Sequence, residues 1–284
     1  MYSERLILLE PNFAVATWEF IVMDGDGSTI THDHKLPDNL RNLILANPQI
    51  KWMMATGRSM DSLQSTPIYQ YLSDDIFHIV AGGSCLMYKD GTIHKHYLLK
   101  PQEIDLIFNK LKLELSNYLY YSPDGVRGFA YTQNLEIANN LTKKLNNVQI
   151  TEDINQFRTW LRDYPTGKIS LNVKETYDLS ELHYHQNENY FDFTSSGVNK
   201  GSAFAEMLNF MDLKANEVAF VFNDKNDLPI INHPALRDVI KIKVGDYLPE
   251  VKSDYQVATP YDVADILKNI TGSMRKSHKF LSVP

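Results

Sequence analysis

The stretch that most constrains this chain is Phe20-Ile21-Val22-Met23-Asp24-Gly25-Asp26-Gly27-Ser28-Thr29. Four apolar residues run without alternation, which fits a strand buried on both faces, as in a parallel sheet covered by helices. The run stops abruptly at two aspartates spaced i, i+2. Ligands bind at the carboxyl ends of strands in open α/β sheets, so both carboxylates emerge at a candidate site. Two anions there cost free energy unless a cation or a positively charged partner compensates. Taken alone, the segment also reads as an Asp/Gly-rich turn, and the rest of the chain decides between the two.

Leu36 to Ala46 carries apolar residues at helical spacing, with Pro37 and Asp38 as start signals and Asn47-Pro48 as a stop. Ile50 to Ala55 predicts a second buried strand ending in Thr56-Gly57-Arg58-Ser59. Met60 to Leu72 predicts a helix interrupted at Pro67, and Phe77 to Val80 a third strand ending in Ala81-Gly82-Gly83. This order, joined by right-handed crossovers, predicts an α/β fold with a doubly wound, Rossmann-like parallel sheet. Ahead of it, Leu6 to Leu9 predicts a short extra strand or packing arm, stopped by Pro11.

From about Ser84 the texture changes. Cys85 to Tyr97 predicts a hairpin around Asp90-Gly91. Pro101 to Leu119 predicts an amphipathic helix with Ile104, Ile107, Phe108, Leu111 and Leu115 on one face, and Lys168 to Val173 predicts a strand. Clustered strands rather than strict alternation with helices suggest an inserted α+β module. The α/β pattern resumes near Ser196, with a helix from Lys200 to Met211, strands at Val218–Phe222 and Ile240–Val244, and a closing helix from Tyr261 to Ile270. The expected division is a core of residues 1–83 and 196–284 with a cap at 84–195.

A net charge of −7 argues against a nucleic-acid or membrane-surface partner. No apolar stretch approaches 18 residues. Cys85 is the only cysteine, so an intrachain disulfide is impossible and a reducing, cytoplasmic setting is expected.

Asp24/Asp26, Thr56 and Asp224/Asp227 all fall at the ends of predicted strands, and Lys200 opens a helix after a Gly-containing loop. Carboxylates, a hydroxyl and a permanent positive charge form the set that phosphoryl transfer to a carboxylate needs. The sequence here resembles the haloacid dehalogenase-like phosphohydrolases, specifically the Cof-like subgroup with a large α/β cap. The matching stretches are Asp24-Gly25-Asp26-Gly27-Ser28, Thr56-Gly57-Arg58, Gly197-Val198-Asn199-Lys200-Gly201 and Asn223-Asp224-Lys225-Asn226-Asp227, in the family's order. Val244 to Lys252 resembles the stretch that precedes the family's last helix.

The resemblance implies a phosphatase. Asp24 is the implied nucleophile, forming an aspartyl-phosphate, and Asp26 the implied acid and base. Thr56 and Lys200 are implied to bind the phosphoryl group, Lys200 also restraining Asp24. Mg2+ is the implied cofactor, held by Asp24, the backbone carbonyl of Asp26 and Asp224, with Asp227 in support. Gly57, Arg58 and Asn226 are the remaining substrate-side candidates. The expected partner is a small phosphorylated metabolite, a sugar phosphate being favoured. A phosphotransferase or phosphosugar mutase, or a non-catalytic phosphometabolite-binding protein, would use the same residues.

Three positions depart from the family pattern: Asn223 where Gly is usual, Ser28 where Thr is usual, and Gly82 where Asn is common. Three His-x-His pairs, His32/His34, His94/His96 and His183/His185, place two rings on one face if they lie on strands. No cysteine or carboxylate cluster completes a metal site around them, so exposed histidines are the better reading. Tyr118, Tyr120 and Tyr121 could line a sugar site, with core or interface packing the simpler expectation.

Overall fold

The computed structural model describes residues 20–145 and 147–278, so the short strand or packing arm expected at Leu6 to Leu9 lies outside the described residues. Five parallel strands form the central sheet: β1 (Phe20–Met23), β2 (Lys51–Met54), β12 (Val218–Phe222), β13 (Ile240–Val244) and β14 (Tyr255–Val257), in the order β14-β13-β12-β1-β2. Both faces are covered. Ile21, Met23, Trp52 and Met54 pack against α1 (Asp38–Ala46), α2 (Met60–Gln64) and α8 (Val263–His278). Phe20, Val22, Phe220 and Phe222 pack against α6 (Lys200–Phe210) and α7 (Leu228–Ile231). The unbroken apolar runs that marked β1 and β12 are thus required by two-sided burial. Chain order reverses between β1 and β12, which opens a crevice at their carboxyl ends.

β3 (His78–Val80) touches β2 through a single parallel bridge, Ala55 to Ile79. It otherwise pairs antiparallel with β4 (Cys85–Met87), which pairs with β5 (Ile93–His96) in the expected hairpin. Cys85 and Met87 pack on one side of the central sheet and Leu86 on the other, so this hairpin is anchored in the core.

A second, six-stranded sheet has the order β10-β11-β9-β6-β7-β8. Its strands are β6 (Ser116–Tyr121), β7 (Gly128–Tyr131), β8 (Val148–Thr151), β9 (Lys168–Val173), β10 (Tyr184–Asn187) and β11 (Tyr190–Thr194). All neighbours are antiparallel except β7 and β8. Three helices belong to this region: α3 (Pro101–Lys110), α4 (Leu135–Lys144) and α5 (Ile154–Asp163). One sheet face, carrying Leu119, Tyr121, Leu171, Phe191 and Phe193, packs on Ile107, Phe157 and Leu161 from α3 and α5. Side chains alternate along a strand, so Tyr118, Tyr120, Ser170, His185 and Asp192 fall on the other face.

The helix expected over Pro101 to Leu119 is shorter than its periodicity implies. It ends at Lys110, and β6 starts at Ser116. Leu111, Leu113 and Leu115 also satisfy a period of two, and the following tyrosines are β-prone. Leu111 is already extended, and the Tyr177 hydroxyl accepts the Lys112 N–H at 3.1 Å where the chain leaves the helix. The segment after Met60 is likewise a short helix, α2, and a separate 3-10 turn at Tyr69–Tyr71 beyond Pro67. The closing helix starts at Val263 and continues past Ile270 to His278. No helix among the described residues is long and apolar enough to cross a membrane.

Candidate active site

The crevice between β1 and β12 brings the strand-end motifs together. The Asp24 N–H still donates to Val221 O at 2.9 Å. Its carbonyl accepts from the Ser28 and Thr29 hydroxyls at 2.5 and 2.7 Å, so the serine at this position keeps the local bonding a hydroxyl supplies. The Asp24 side chain is nearly buried, with Oδ1 2.7 Å from Lys200 Nζ. The same ammonium lies 2.8 Å from Asp227 Oδ1 and donates to Asn226 Oδ1, which uses all three of its hydrogens.

Lys200 is 2% exposed and Asp227 0%. Burial would lower the lysine pKa, but the charges of Asp227 and Asp24 outweigh it and raise the value, keeping the ammonium charged. Burial and then the charge of Asp24 push Asp224 and Asp227 upward in turn. Gly83 places Lys200. Its φ is +96°, and a Cβ there would lie 2.3 Å from the Asn199 carbonyl oxygen. Only glycine lets the turn after β3 press on the first residue of α6, which Asn199 caps through the Ser202 N–H.

Thr56 is buried at the end of β2, its Oγ1 accepting the Arg58 N–H at 3.1 Å. Arg58 clasps both oxygens of Asp26 at 2.8 Å, with a further bond to Ser62 Oγ at 3.0 Å. Partial burial would raise the Asp26 pKa; the Arg58 hydrogen bonds and charge more than offset this and lower it. Asp224 accepts from the Asn226 N–H at 2.8 Å and from its side-chain amide at 3.0 Å. Asn226 therefore spans Lys200 and Asp224 with both ends of its side chain. Asn223 does not crowd the loop. Its amide nitrogen would lie 2.3 Å from a Cβ on Gly27, whose φ is +78°, so Gly27 supplies the room.

These groups line a cavity of about 660 Å³. Asp24, Asp26, Thr56, Gly57, Arg58, Lys200, Asp224 and Asn226 all contribute to its wall. Asp227 stands behind Lys200, its second oxygen facing the Asn223 N–H at 3.3 Å. Tyr118 and Tyr120, together with residues outside the site candidates, form the roof. Lys168 donates to the Gly57 carbonyl at 2.7 Å and to Asp192 Oδ2 at 3.0 Å, and Ser170 donates to Asp192 Oδ1 at 2.6 Å. Asn187 reaches Asp224 Oδ2 at 3.4 Å, and the Tyr120 hydroxyl donates to Asp61 Oδ2 at 2.8 Å. Tyr118 and Tyr120 line the cavity, whereas Tyr121 is buried in the cap core.

The four carboxylates Asp24, Asp26, Asp224 and Asp227 outnumber Lys200 and Arg58 by two, a surplus that suits a divalent cation. Among the described residues no group of three or more His, Cys, Asp or Glu side chains is arranged to hold a metal ion by itself. The available donors are hard oxygens, two carboxylates and a backbone carbonyl. Magnesium commonly binds through one or two carboxylates, with waters and substrate phosphate completing its shell, so the donor set fits.

A family model for haloacid dehalogenase-like hydrolases matches residues 21–238, and the chain belongs to this family. A comparison with curated proteins finds no match. The fold is similar to that of BT1666 from Bacteroides thetaiotaomicron, described among phosphatases of the haloalkanoate superfamily, with TM-score 0.70 and 14% identity over 93% of this chain and 99% of that one. It is also similar to a haloacid dehalogenase-like hydrolase from B. subtilis, with TM-score 0.71 and 16% identity over 88% of this chain and 99% of the other. The subclass IIB sugar phosphatase BT4131 superposes with TM-score 0.68 and 15% identity, over 88% of this chain and 98% of that one.

Proposed function

We propose that the chain is a magnesium-dependent phosphomonoester hydrolase of a small phosphorylated metabolite, with a sugar phosphate as the favoured substrate. The observation that carries this reading is the buried Lys200 ammonium, which joins Asp24 after β1 to Asn226 and Asp227 after β12 beneath a roofed cavity. In this reading residues 1–83 and 196–284 form the catalytic core and 84–195 the cap, with the β4–β5 hairpin bracing the junction. The single, buried Cys85 supports a cytoplasmic location.

Asp24 attacks phosphorus, the bond from phosphorus to the ester oxygen breaks, and an aspartyl-phosphate forms. Asp26 protonates the departing oxygen and later takes a proton from the water that attacks phosphorus, the bond from phosphorus to Asp24 breaks, and inorganic phosphate leaves with the Asp24 carboxylate restored. Asp26 must first leave the Arg58 clasp, and an entering phosphoryl group offers Arg58 replacement oxygens. Thr56 and Lys200 hold phosphoryl oxygens, and Lys200 keeps Asp24 aimed. Asp24, the Asp26 carbonyl and Asp224 would hold Mg2+, with Asp227 behind them. When bound, the ion neutralises the carboxylates and the phosphoryl oxygens. The roof excludes water from the first half-reaction.

The test is Asp24→Asn assayed on 4-nitrophenyl phosphate with magnesium. Turnover should vanish while circular dichroism and melting temperature stay near wild type. Full magnesium-dependent activity in that variant would refute the mechanism.

A further inference from the structure

On the cavity side of the cap sheet, strand register lines side chains into two cross-strand rows. The first runs His185, Asp192, Ser170, Tyr120, set by the pairs His185–Asp192, Asp192–Ser170 and Ser170–Tyr120. The second runs Asn187, Tyr190, Asn172, Tyr118, by the equivalent pairs one step along each strand pattern. Rows two residues apart on a strand are separated by roughly 7 Å.

The first row is polar and partly unspent. Asp192 accepts one hydrogen bond at each carboxylate oxygen, from Lys168 and Ser170, and each oxygen has capacity for another. The Nε2 atom of His185 is buried and has no hydrogen-bond partner, and His185 is one of the residues lining the cavity. A buried polar atom left unpaired costs free energy, so a bound group that pairs with it gains by doing so. Burial foremost, with the neighbouring His183, lowers the pKa of this ring, favouring a neutral imidazole that can give or take one hydrogen bond. The second row is aromatic: Tyr118 and Tyr190 meet edge to face at 6.3 Å, hydroxyl to hydroxyl at 3.2 Å.

We infer that Asp192 and His185 are specificity-determining residues that read the leaving group, and that they select one carrying hydroxyls on one edge and an apolar face beside it, as a pyranose ring does. This rests on the phosphatase reading above. The carboxylate accepts from ring hydroxyls, His185 Nε2 pairs with another, and the Tyr118–Tyr190 pair packs on the C–H face. A planar aromatic leaving group would leave His185 Nε2 unpaired and the spare acceptor capacity of Asp192 unused, which a site built around hydrogen bonds rejects.

The experiment compares hexose 6-phosphates with 4-nitrophenyl phosphate, which lacks leaving-group hydroxyls. Wild type should prefer at least one hexose 6-phosphate. His185→Leu should lower kcat/KM for that sugar ester by about 10- to 100-fold, with 4-nitrophenyl phosphate changing less than about threefold. His185→Gln, which restores a hydrogen-bonding group, should recover much of the loss, and Asp192→Asn should show the same substrate selectivity. Equal losses on both esters in His185→Leu, or none on either, would overturn the assignment. A wild type that turns over 4-nitrophenyl phosphate but favours no hexose phosphate overturns it while leaving the phosphatase reading intact. A wild type inactive on both overturns both.

Discussion

Lys168 and Gly57 are joined by a 2.7 Å hydrogen bond from ammonium to backbone carbonyl, tying the six-stranded sheet to the turn that carries Thr56 and Arg58. The same ammonium reaches Asp192, so one side chain couples the roof of the cavity to the loop expected to hold phosphate.

Removing that link should loosen substrate binding more than the chemistry. Lys168→Met leaves the Gly57 carbonyl and Asp192 without their shared donor, at a cost of about 1–3 kcal/mol. A raised KM with kcat changed less than about threefold, together with a lower denaturant midpoint, is the expected outcome. A midpoint and KM equal to wild type would show that water replaces the ammonium without loss.

Lys200 should matter for stability as well as turnover. Lys200→Met leaves Asp24 and Asp227 buried with no cation, which costs about 3–5 kcal/mol. Urea unfolding in EDTA measures this directly. Adding Asp227→Leu should recover part of the stability and none of the activity, because the second change removes an uncompensated charge but does not restore phosphoryl binding. A single variant within about 1 kcal/mol of wild type would contradict the buried-triad account.

Magnesium should stabilise the folded chain. Ion binding at 100 times its dissociation constant is worth about 2.7 kcal/mol, visible as a rise in melting temperature. Asp224→Asn should abolish most of that rise, since it removes one of two carboxylates from the donor set. An undiminished magnesium shift in this variant would place the ion elsewhere.

His78 should impose an acid limb on stability. Its Nδ1 accepts the Met54 N–H at 3.3 Å while Nε2 faces the Ser73 carbonyl at 3.2 Å, an arrangement made for a neutral ring. Burial lowers its pKa from 6.5 to about 4. Below pH 6.5 the unfolded chain binds a proton that the folded ring refuses, so this contribution is whole above 6.5 and falls away toward pH 4. The loss amounts to roughly 3 kcal/mol. Chemical unfolding between pH 7 and 4 should show a flatter profile for His78→Gln than for wild type; parallel profiles would assign the acid sensitivity to other groups.

The four motifs were legible because each is a contiguous stretch whose own pattern announces a strand and its end or, at Lys200, a helix start. Asp24, Thr56, Lys200 and Asp224 could be placed on one side of a sheet from local sequence and the rule that parallel strands share a carboxyl edge. Beyond the tyrosines at 118 and 120, the roof was not legible. His185, Asp192, Ser170 and Tyr120 are neighbours only through the register of strands far apart in the chain, and no local pattern encodes that register. His183/His185 stood out as a spacing, but the spacing alone says nothing about which ring meets the cavity. The end of α3 is ambiguous in sequence because leucines at 111, 113 and 115 satisfy helical and strand periods together, and tertiary packing decides between them. The room that Gly27 gives Asn223 was equally hidden, because the two residues lie on different strand-end loops.

The pleat of the cap sheet divides its labour at every second residue. Phe191, Phe193 and Leu171 hold the module together from one side, while Asp192 and Ser170, their immediate chain neighbours, face the cavity on the other. Such a surface can be rewritten one odd or even position at a time without disturbing what keeps it folded. The chemistry at Asp24 could then remain constant while the molecules admitted to it change.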